Sequence, residues 1–360
     1  MKMKSVLQKA GLAGMLAAAF MLGACDSDKD EAKWKVGIAL SNYESGDRWA
    51  ADGANMVKML EQYGFDVNLQ HVERDVTQQK SQIEDLINAG CKVLIITAVD
   101  SNTLGDVLEK AAGAGIKVIA YDRLLMNTNA VDYYVTFDNE MAGMQQGQYI
   151  VDHLPEDITE ATRHIELFTG PFDDNNVNFF FGGALKALDI DNNNIAVLSG
   201  EKSMNECSIA DWSTVGAKER MKRLISTYGY APGGTKLDAV LCSNDDLAEG
   251  VVDALTEAGY TAADMPVVTG QDAEVDALKR IIAGTQSMTV FKDTRLSAEA
   301  TVEVVRAIRD NAESSLTFGT PYNNGKKEVK TLSCETTVVN KDNYRQILID
   351  SGYYTDADLQ

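Results

Sequence analysis

Residues 92–98 read KVLIITA and residues 116–121 read IKVIAY. Both are short apolar runs rich in β-branched side chains, the signature of buried strands. Ahead of the first, a strand-like run at 65–71 is followed by 75–89, where Val76, Ile83, Leu86 and Ile87 share one face at helical spacing. Strand, helix, strand in this order predicts parallel strands joined by a crossover helix. The alternation spreads both ways, to strand-like runs at 34–40, 131–137, 164–169, 195–199, 237–242, 265–269 and 287–291. A helix follows at 296–308, with Leu296, Ala300, Val304 and Ile308 in register. After a polar, Gly-containing stretch from Tyr322 to Lys327 comes one more run, 335–339. The fold class is therefore α/β, with parallel sheets covered by helices on both faces. Ten strands before residue 292 exceed one six-stranded sheet of the nucleotide-binding type. Two doubly wound parallel-sheet lobes are expected, the second beginning after Asp138-Asn139, with more than one crossing between them.

The chain has 360 residues, 45% apolar and 24% charged, which suits two globular domains. Its first stretch is of another kind. Lys2, Lys4 and Lys9 precede an apolar run at 10–24 that ends Leu22-Gly23-Ala24-Cys25. The run is short for a bilayer-spanning helix. Small residues followed by Cys resemble the lipobox of bacterial lipoproteins, so 1–24 is expected to be a lipoprotein signal peptide. Cys25 is then the lipidated residue and 25–33 a solvated tether. Export is expected, with the fold facing the periplasm, or the cell exterior in a Gram-positive organism. Net charge is −21, and loss of the three lysines with the leader makes it −24. Such a surface repels phosphate backbones and disfavours nucleic acid as a partner. Of the other cysteines, Cys91 and Cys242 flank apolar runs and read as small buried hydrophobes, whereas Cys207 and Cys334 lie among polar residues. Spacing assigns no disulfide among them and offers no zinc site.

In open parallel sheets, ligands bind beyond the carboxyl ends of the strands. Those ends carry Asp47-Arg48-Trp49, Asp100, Asp122-Arg123, Asp173-Asp174-Asn175-Asn176, Ser243-Asn244-Asp245-Asp246, Gln271-Asp272 and Lys292-Asp293. Donors and acceptors are mixed, as a ligand with many hydroxyls requires. No Gly-rich loop opens a helix to cradle phosphate. Trp49 stands at a strand end, and Trp212 opens a helix-like stretch at 212–228; indole faces bury the C–H face of a pyranose. Taken singly, the same residues also suit other roles: Asp245 and Asn175 as helix N-caps, Asp122-Arg123 as a surface ion pair, and both Trp as core. Asp189-x-Asp191-x-Asn193 lacks the glycine and glutamate of a calcium loop and reads as a polar helix-to-strand loop. There is no G-x-S-x-G. Two carboxylates would suffice for glycoside hydrolysis, but Arg and Lys among them are expected to keep the acids ionised. No catalytic residue, cofactor or metal is expected.

Long segments resemble the periplasmic monosaccharide-binding proteins of ABC importers (type I solute-binding fold), in particular the D-xylose and multiple-sugar binders. They are Arg48-Trp49, SQIEDLINAG (81–90), GIKVIAYDRL from residue 115, TFDNE (136–140), DDNN (173–176), SNDD (243–246), GQDAEVDALKRIIAGTQSMTVFKDT (270–294) and KDNYRQILIDSGYY (341–354). The resemblance implies sugar contacts from Arg48, Asp122, Arg123, Asn175 or Asn176, Asn244, Asp245, Asp272 and Lys292. It implies stacking by Trp49 and Trp212 on opposite sugar faces. It also implies hinge crossovers near 138–139, 292–294 and 330–335. The lobes would be 34–138 plus 293–332 and 139–292 plus 333–360. The implied function is capture of an aldose by lobe closure and its delivery to membrane permease subunits, by a monomer. Alternatives are a sugar sensor docking on a chemoreceptor or sensor kinase, a nucleoside or furanose ligand, and a sugar-processing enzyme. Departures lie at Asp211, where some multiple-sugar binders carry Arg, and in loop 200–210.

Overall fold

The computed structural model describes residues 33–42, 48–155 and 163–360, save the side chains of Asn42 and Arg48. The leader, Cys25, the tether to residue 32 and Asp47 lie outside the described residues. The first half of the fold runs β1 (Lys35–Asn42), α1 (Arg48–Gln62), β2 (Asp66–Glu73), α2 (Val76–Asn88), β3 (Val93–Thr97), α3 (Gly105–Gly113), β4 (Lys117–Tyr121) and β5 (Tyr133–Phe137). Then come α4 (Asn139–His153), β6 (Arg163–Phe168), α5 (Val177–Leu188), β7 (Ile195–Val197), the one-turn α6 (Met204–Cys207), α7 (Thr214–Tyr228), β8 (Ala239–Cys242), α8 (Asp245–Glu257), β9 (Val267–Val268), α9 (Val275–Ala283) and β10 (Met288–Phe291). The chain closes with α10 (Thr294–Arg309), β11 (Tyr322–Asn323), β12 (Glu328–Cys334) and β13 (Thr337–Asn340).

Among the described residues these strands form two main sheets. One has the order β11-β12-β5-β4-β3-β1-β2, parallel except for the β11–β12 hairpin. The other, β7-β6-β8-β9, is wholly parallel. An antiparallel pair, β10-β13, is joined to its β9 side by a bridge between Gln271 and Val290. Strand alternation explains why both faces of the first sheet are covered. Val36, Ile38, Leu40, Val93 and Ile95 meet Met56 and Leu60 of α1 and Val302 and Val305 of α10. Their neighbours Ala39, Leu94 and Ile96 point the other way, onto Ile83 and Leu86 of α2 and Val107 and Leu108 of α3. The second sheet repeats the arrangement: Val240 and Cys242 face α7 and α8, and Ala239 and Leu241 face Ile150 of α4 and Ala184 of α5.

The chain passes between the sheets three times, after β5, after β10 and between β12 and β13. The first and third passages are tied together, because the Asp138 N–H donates to the Cys334 carbonyl at 3.1 Å. Asp138 then caps α4 by accepting from the Met141 N–H, and Asp293 caps α10 by accepting from the Arg295 N–H. Helices α4 and α5 pack backbone to backbone. A Cβ at Gly143 would lie 1.8 Å from the Phe180 carbonyl oxygen, and one at Gly183 would lie 2.2 Å from that of Glu140.

Several expectations need correction. The polar stretch from Tyr322 to Lys327 opens a hairpin, and β12 continues the first sheet beside β5. Only alternate residues of β12, Val329 and Thr331, are buried, so its apolar signal is weak. The last strand starts at Thr337 rather than 335. In α10, Leu296 is exposed, and Ala298, Thr301, Val302 and Val305 complete the buried face with Val304 and Ile308. Cys207 is fully buried despite its polar neighbours in sequence, with its thiol donating to the Glu201 carbonyl.

Candidate functional site

The carboxyl ends of both sheets converge on one cavity of about 60 Å³, lined by Trp49, Asp122, Arg123, Asp174, Asn176, Phe180, Trp212, Asn244, Asp246, Gln271, Asp272, Glu274 and Lys292. At about 10–15 Å³ of such space per water, it holds about five waters, the room that one small solute needs. Each side chain arrives at the end of a strand. Trp49 sits on the first turn of α1 beyond β1, and Asp122 and Arg123 follow β4. Asp174 and Asn176 follow β6, Asn244 and Asp246 follow β8, and Gln271 and Asp272 follow β9. Lys292 follows β10.

Backbone strain concentrates here. Asp122 (φ 60°), Asp211 (φ 58°), Trp212 (φ 55°), Asp272 (φ 97°) and Ala273 (φ 55°) all lie in the left-handed region. Such conformations cost non-glycine residues about 1–3 kcal/mol each and persist only where the surroundings fix them. The surroundings are visible. The Asp122 carbonyl accepts from the Tyr134 hydroxyl at 2.7 Å, the Thr136 hydroxyl at 3.2 Å and the Asn176 amide at 2.8 Å. The Trp212 ring lies flat on Gly170, where a Cβ would come within 2.3 Å of it, and its centroid is 5.8 Å from that of Phe180. Asp272 is held by its N–H donating to the Val290 carbonyl and by Lys292 Nζ, 3.4 Å from its carboxylate.

Several contacts join groups from the two sheets. Arg123 Nη2 pairs with Asp174 Oδ2 at 3.2 Å, both side chains being almost wholly buried. Tyr134 and Asn176 meet at 2.9 Å, and the Ser101 N–H donates to the Asp173 carbonyl. Outside the cavity Arg74 pairs with Asp211 at 3.2 Å and also donates to its carbonyl.

Not every residue singled out in the sequence reaches the cavity. Trp49, Asp122, Arg123, Asn176, Trp212, Asn244, Asp272 and Lys292 line it. Arg48 begins α1, and its side chain lies outside the described residues. Asn175 is not among the lining residues, and its carbonyl accepts from the Asn178 amide. Asp245 is fully buried behind the wall, and its carboxylate accepts from Thr289, Gln286 and the Glu274 N–H. Burial pushes its carboxyl up to about 7. Neither Asp245 nor Asn175 is a helix cap. Asn244 caps α8, accepting from the Leu247 N–H, and also donates to Asp246 at 3.1 Å. Asp246 takes the wall position one residue beyond Asp245. Asp189 ends α5 in a left-handed turn, and Asn192 donates to its carboxylate, so this loop bonds to itself.

Asp174, Phe180, Asp246, Gln271 and Glu274 complete the lining beyond those residues. Asp174, Asp246 and Gln271 stand in the strand-end clusters, whereas Phe180 lies a helical turn into α5 and Glu274 two residues past Asp272 at the N-cap of α9, where no strand-end pattern points. Glu274 departs from the expectation that Arg and Lys hold every acid ionised. Burial, with Asp246, Asp245 and Asp272 nearby, pushes its carboxyl up to about 9. The cavity thus presents carboxyl groups, amides, an ammonium, a guanidinium and two indoles. It can bond many hydroxyls at once and cover an apolar ring face.

Residues 38–313 match a family model described as a periplasmic binding protein domain. The multiple sugar-binding periplasmic receptor ChvE of Rhizobium radiobacter is 41% identical over 356 residues, covering 98% of each chain. The D-xylose-binding periplasmic protein of Escherichia coli is 32% identical over 327 residues, 90% of this chain and 92% of that one. A solved ABC transporter solute binding protein from Clostridium phytofermentans, with bound β-D-glucose, matches with a TM-score of 0.85 at 44% identity. That match covers 91% of this chain and 100% of the other. The chain therefore belongs to the periplasmic binding protein family, with the α/β architecture of its type I members.

Proposed function

We propose that this protein is an exported, lipid-anchored receptor that captures a monosaccharide by closing two lobes around it and passes it to an ABC permease. The ligand is an aldose such as glucose, galactose, xylose or arabinose. The observation that carries the proposal is the cavity itself: it draws hydroxyl-bonding side chains from both sheets and one tryptophan from each side. The relatives named for sugar binding and the glucose-bound neighbour support it. The lobes are 34–138 plus 293–332 and 139–292 plus 333–360, and the sugar favours their closed arrangement because only that arrangement completes its contacts. Arg48, Trp49, Asp122, Arg123, Asn176, Trp212, Asn244, Asp272 and Lys292 are the sugar contacts, and Cys25 is the acylated residue.

Calorimetry with aldoses, furanoses and nucleosides tests the ligand class, and a best response to a nucleoside sinks it. Trp49→Ala should weaken binding about tenfold or more. A Cys25→Ser variant should lose incorporated fatty acid and leave the membrane fraction. Uptake of labelled sugar by cells with and without the gene separates permease delivery from a sensory role. The raised carboxyl of Glu274 in a cavity that also holds Asp246 and Asp272 is the one observation favouring a glycosidase. A carboxyl at about 9 is a poorer general acid at neutral pH than the value near 6 that such enzymes tune. Turnover of nitrophenyl glycosides would favour the hydrolase instead.

A further inference from the structure

We infer that the side-chain amide of Gln271 is a specificity-determining contact, bonding one ring hydroxyl of the ligand so that the cavity rejects the sugar lacking that hydroxyl. This rests on the proposal that the cavity binds a sugar. Gln271 lines the cavity and is only 2% exposed, yet its Oε1 is buried with no hydrogen-bond partner. Buried amide oxygens are nearly always satisfied, and one left orphaned inside a binding cavity points to a ligand hydrogen.

The backbone leaves the side chain little freedom to escape. The Gln271 carbonyl accepts from the Asp245 N–H at 3.0 Å. On either side, the Gly270 carbonyl accepts from the Val290 N–H at 3.0 Å, and the Asp272 N–H donates to the Val290 carbonyl at 2.9 Å. Residue 271 is therefore clamped between the start of α8 and β10. Gly270 is fixed by crowding, since a Cβ there would lie 2.0 Å from Asp245 Oδ1. The amide is delivered to the cavity by a rigid frame, as a group that discriminates between hydroxyl patterns must be. Its neighbours differ from it in kind. Asp246 and Asp272 bring carboxylates and Lys292 an ammonium, which bond any hydroxyl strongly. A neutral amide holding one unpaired acceptor penalises only the sugar that fails to fill it.

The test is calorimetry of the purified chain with glucose and its 1-, 2-, 3-, 4- and 6-deoxy derivatives, for wild type, Gln271→Met and Gln271→Ala, with thermal melts to verify folding. In wild type, one deoxy sugar should bind about 10- to 100-fold more weakly than glucose on account of this group. Both variants should bind glucose more weakly and lose the penalty for that one deoxy sugar, keeping the others. Variants that weaken every sugar by the same factor, or that leave glucose affinity unchanged, overturn the assignment while leaving the sugar site standing. A wild-type protein that binds none of the aldoses overturns both.

Discussion

Replacing Asp174 by asparagine should weaken sugar binding far more than it weakens the fold. Arg123 and Asp174 pair at 3.2 Å with side chains 4% and 7% exposed. Asp174 follows β6 of one sheet and Arg123 follows β4 of the other, so the pair exists only when the lobes are together. In Asp174→Asn the new side chain would keep an oxygen for the Asn176 N–H, which Asp174 Oδ1 now accepts at 2.9 Å. It would set an amide N–H against the guanidinium, taking this counter-charge away from a buried cation. Arg123 Nη1 also donates to the carbonyls of Ala98 and Val99 at 3.4 and 3.5 Å, long bonds to neutral acceptors that do not replace the lost counter-charge. Breaking a buried pair on one side costs about 3–5 kcal/mol. On opening, water solvates Arg123, so the cost falls on the closed arrangement alone. At about 1.4 kcal/mol per tenfold, sugar affinity should drop about 100- to 3,000-fold. The sugar-free melting temperature should move by no more than about 2 °C. Calorimetry and thermal melts with and without sugar read the two effects. Since Asp174 also lines the cavity, Arg123→Met and the double variant complete a cycle whose coupling isolates the pair. An affinity within threefold of wild type, or a melting loss as large as the affinity loss, refutes the reasoning.

Gly143→Ala should cost at least about 1–3 kcal/mol in denaturant unfolding, because its Cβ would meet the Phe180 carbonyl at 1.8 Å. It should also weaken sugar binding, since Phe180 and Asn176 move with α5. Glu274 is raised to about 9, so the stability it contributes is full below its unfolded value near 4.5 and is lost as pH rises through about 9. Melting temperature should therefore fall between pH 6 and pH 10 in wild type and fall less in Glu274→Gln; equal slopes would refute this. Burial pushes the thiol of Cys207 up to about 12 and that of Cys242 well above its ordinary value. Both should resist a thiol reagent at pH 8 in the native protein and react once it is unfolded in denaturant.

What the sequence conveys depends on whether a residue's role is set locally. Runs such as KVLIITA disclose strands because burial on both faces leaves no polar residue to interrupt them, and β3 is buried at every position. The β12 strand leaves little trace in the sequence because it needs only Val329 and Thr331 inside, and what makes it a strand is β5 lying beside it. The site divides the same way. Strand ends point to Asp122, Asn244, Asp272 and Lys292, because parallel topology places every such end on one side. Strand-end position cannot separate Asp245 from Asp246, adjacent residues on one helical turn. Their roles diverge only because Thr289, Gln286 and the Glu274 N–H, from later in the chain, gather around the first. Gln271 and Asp272 divide similarly: the carboxylate has Lys292, and the buried amide oxygen has no hydrogen-bond partner within the protein. The residues proposed to draw sugars as a class are thus legible as a pattern of charge at strand ends. Those that would choose among sugars are set by which of two neighbours the rest of the fold has already satisfied.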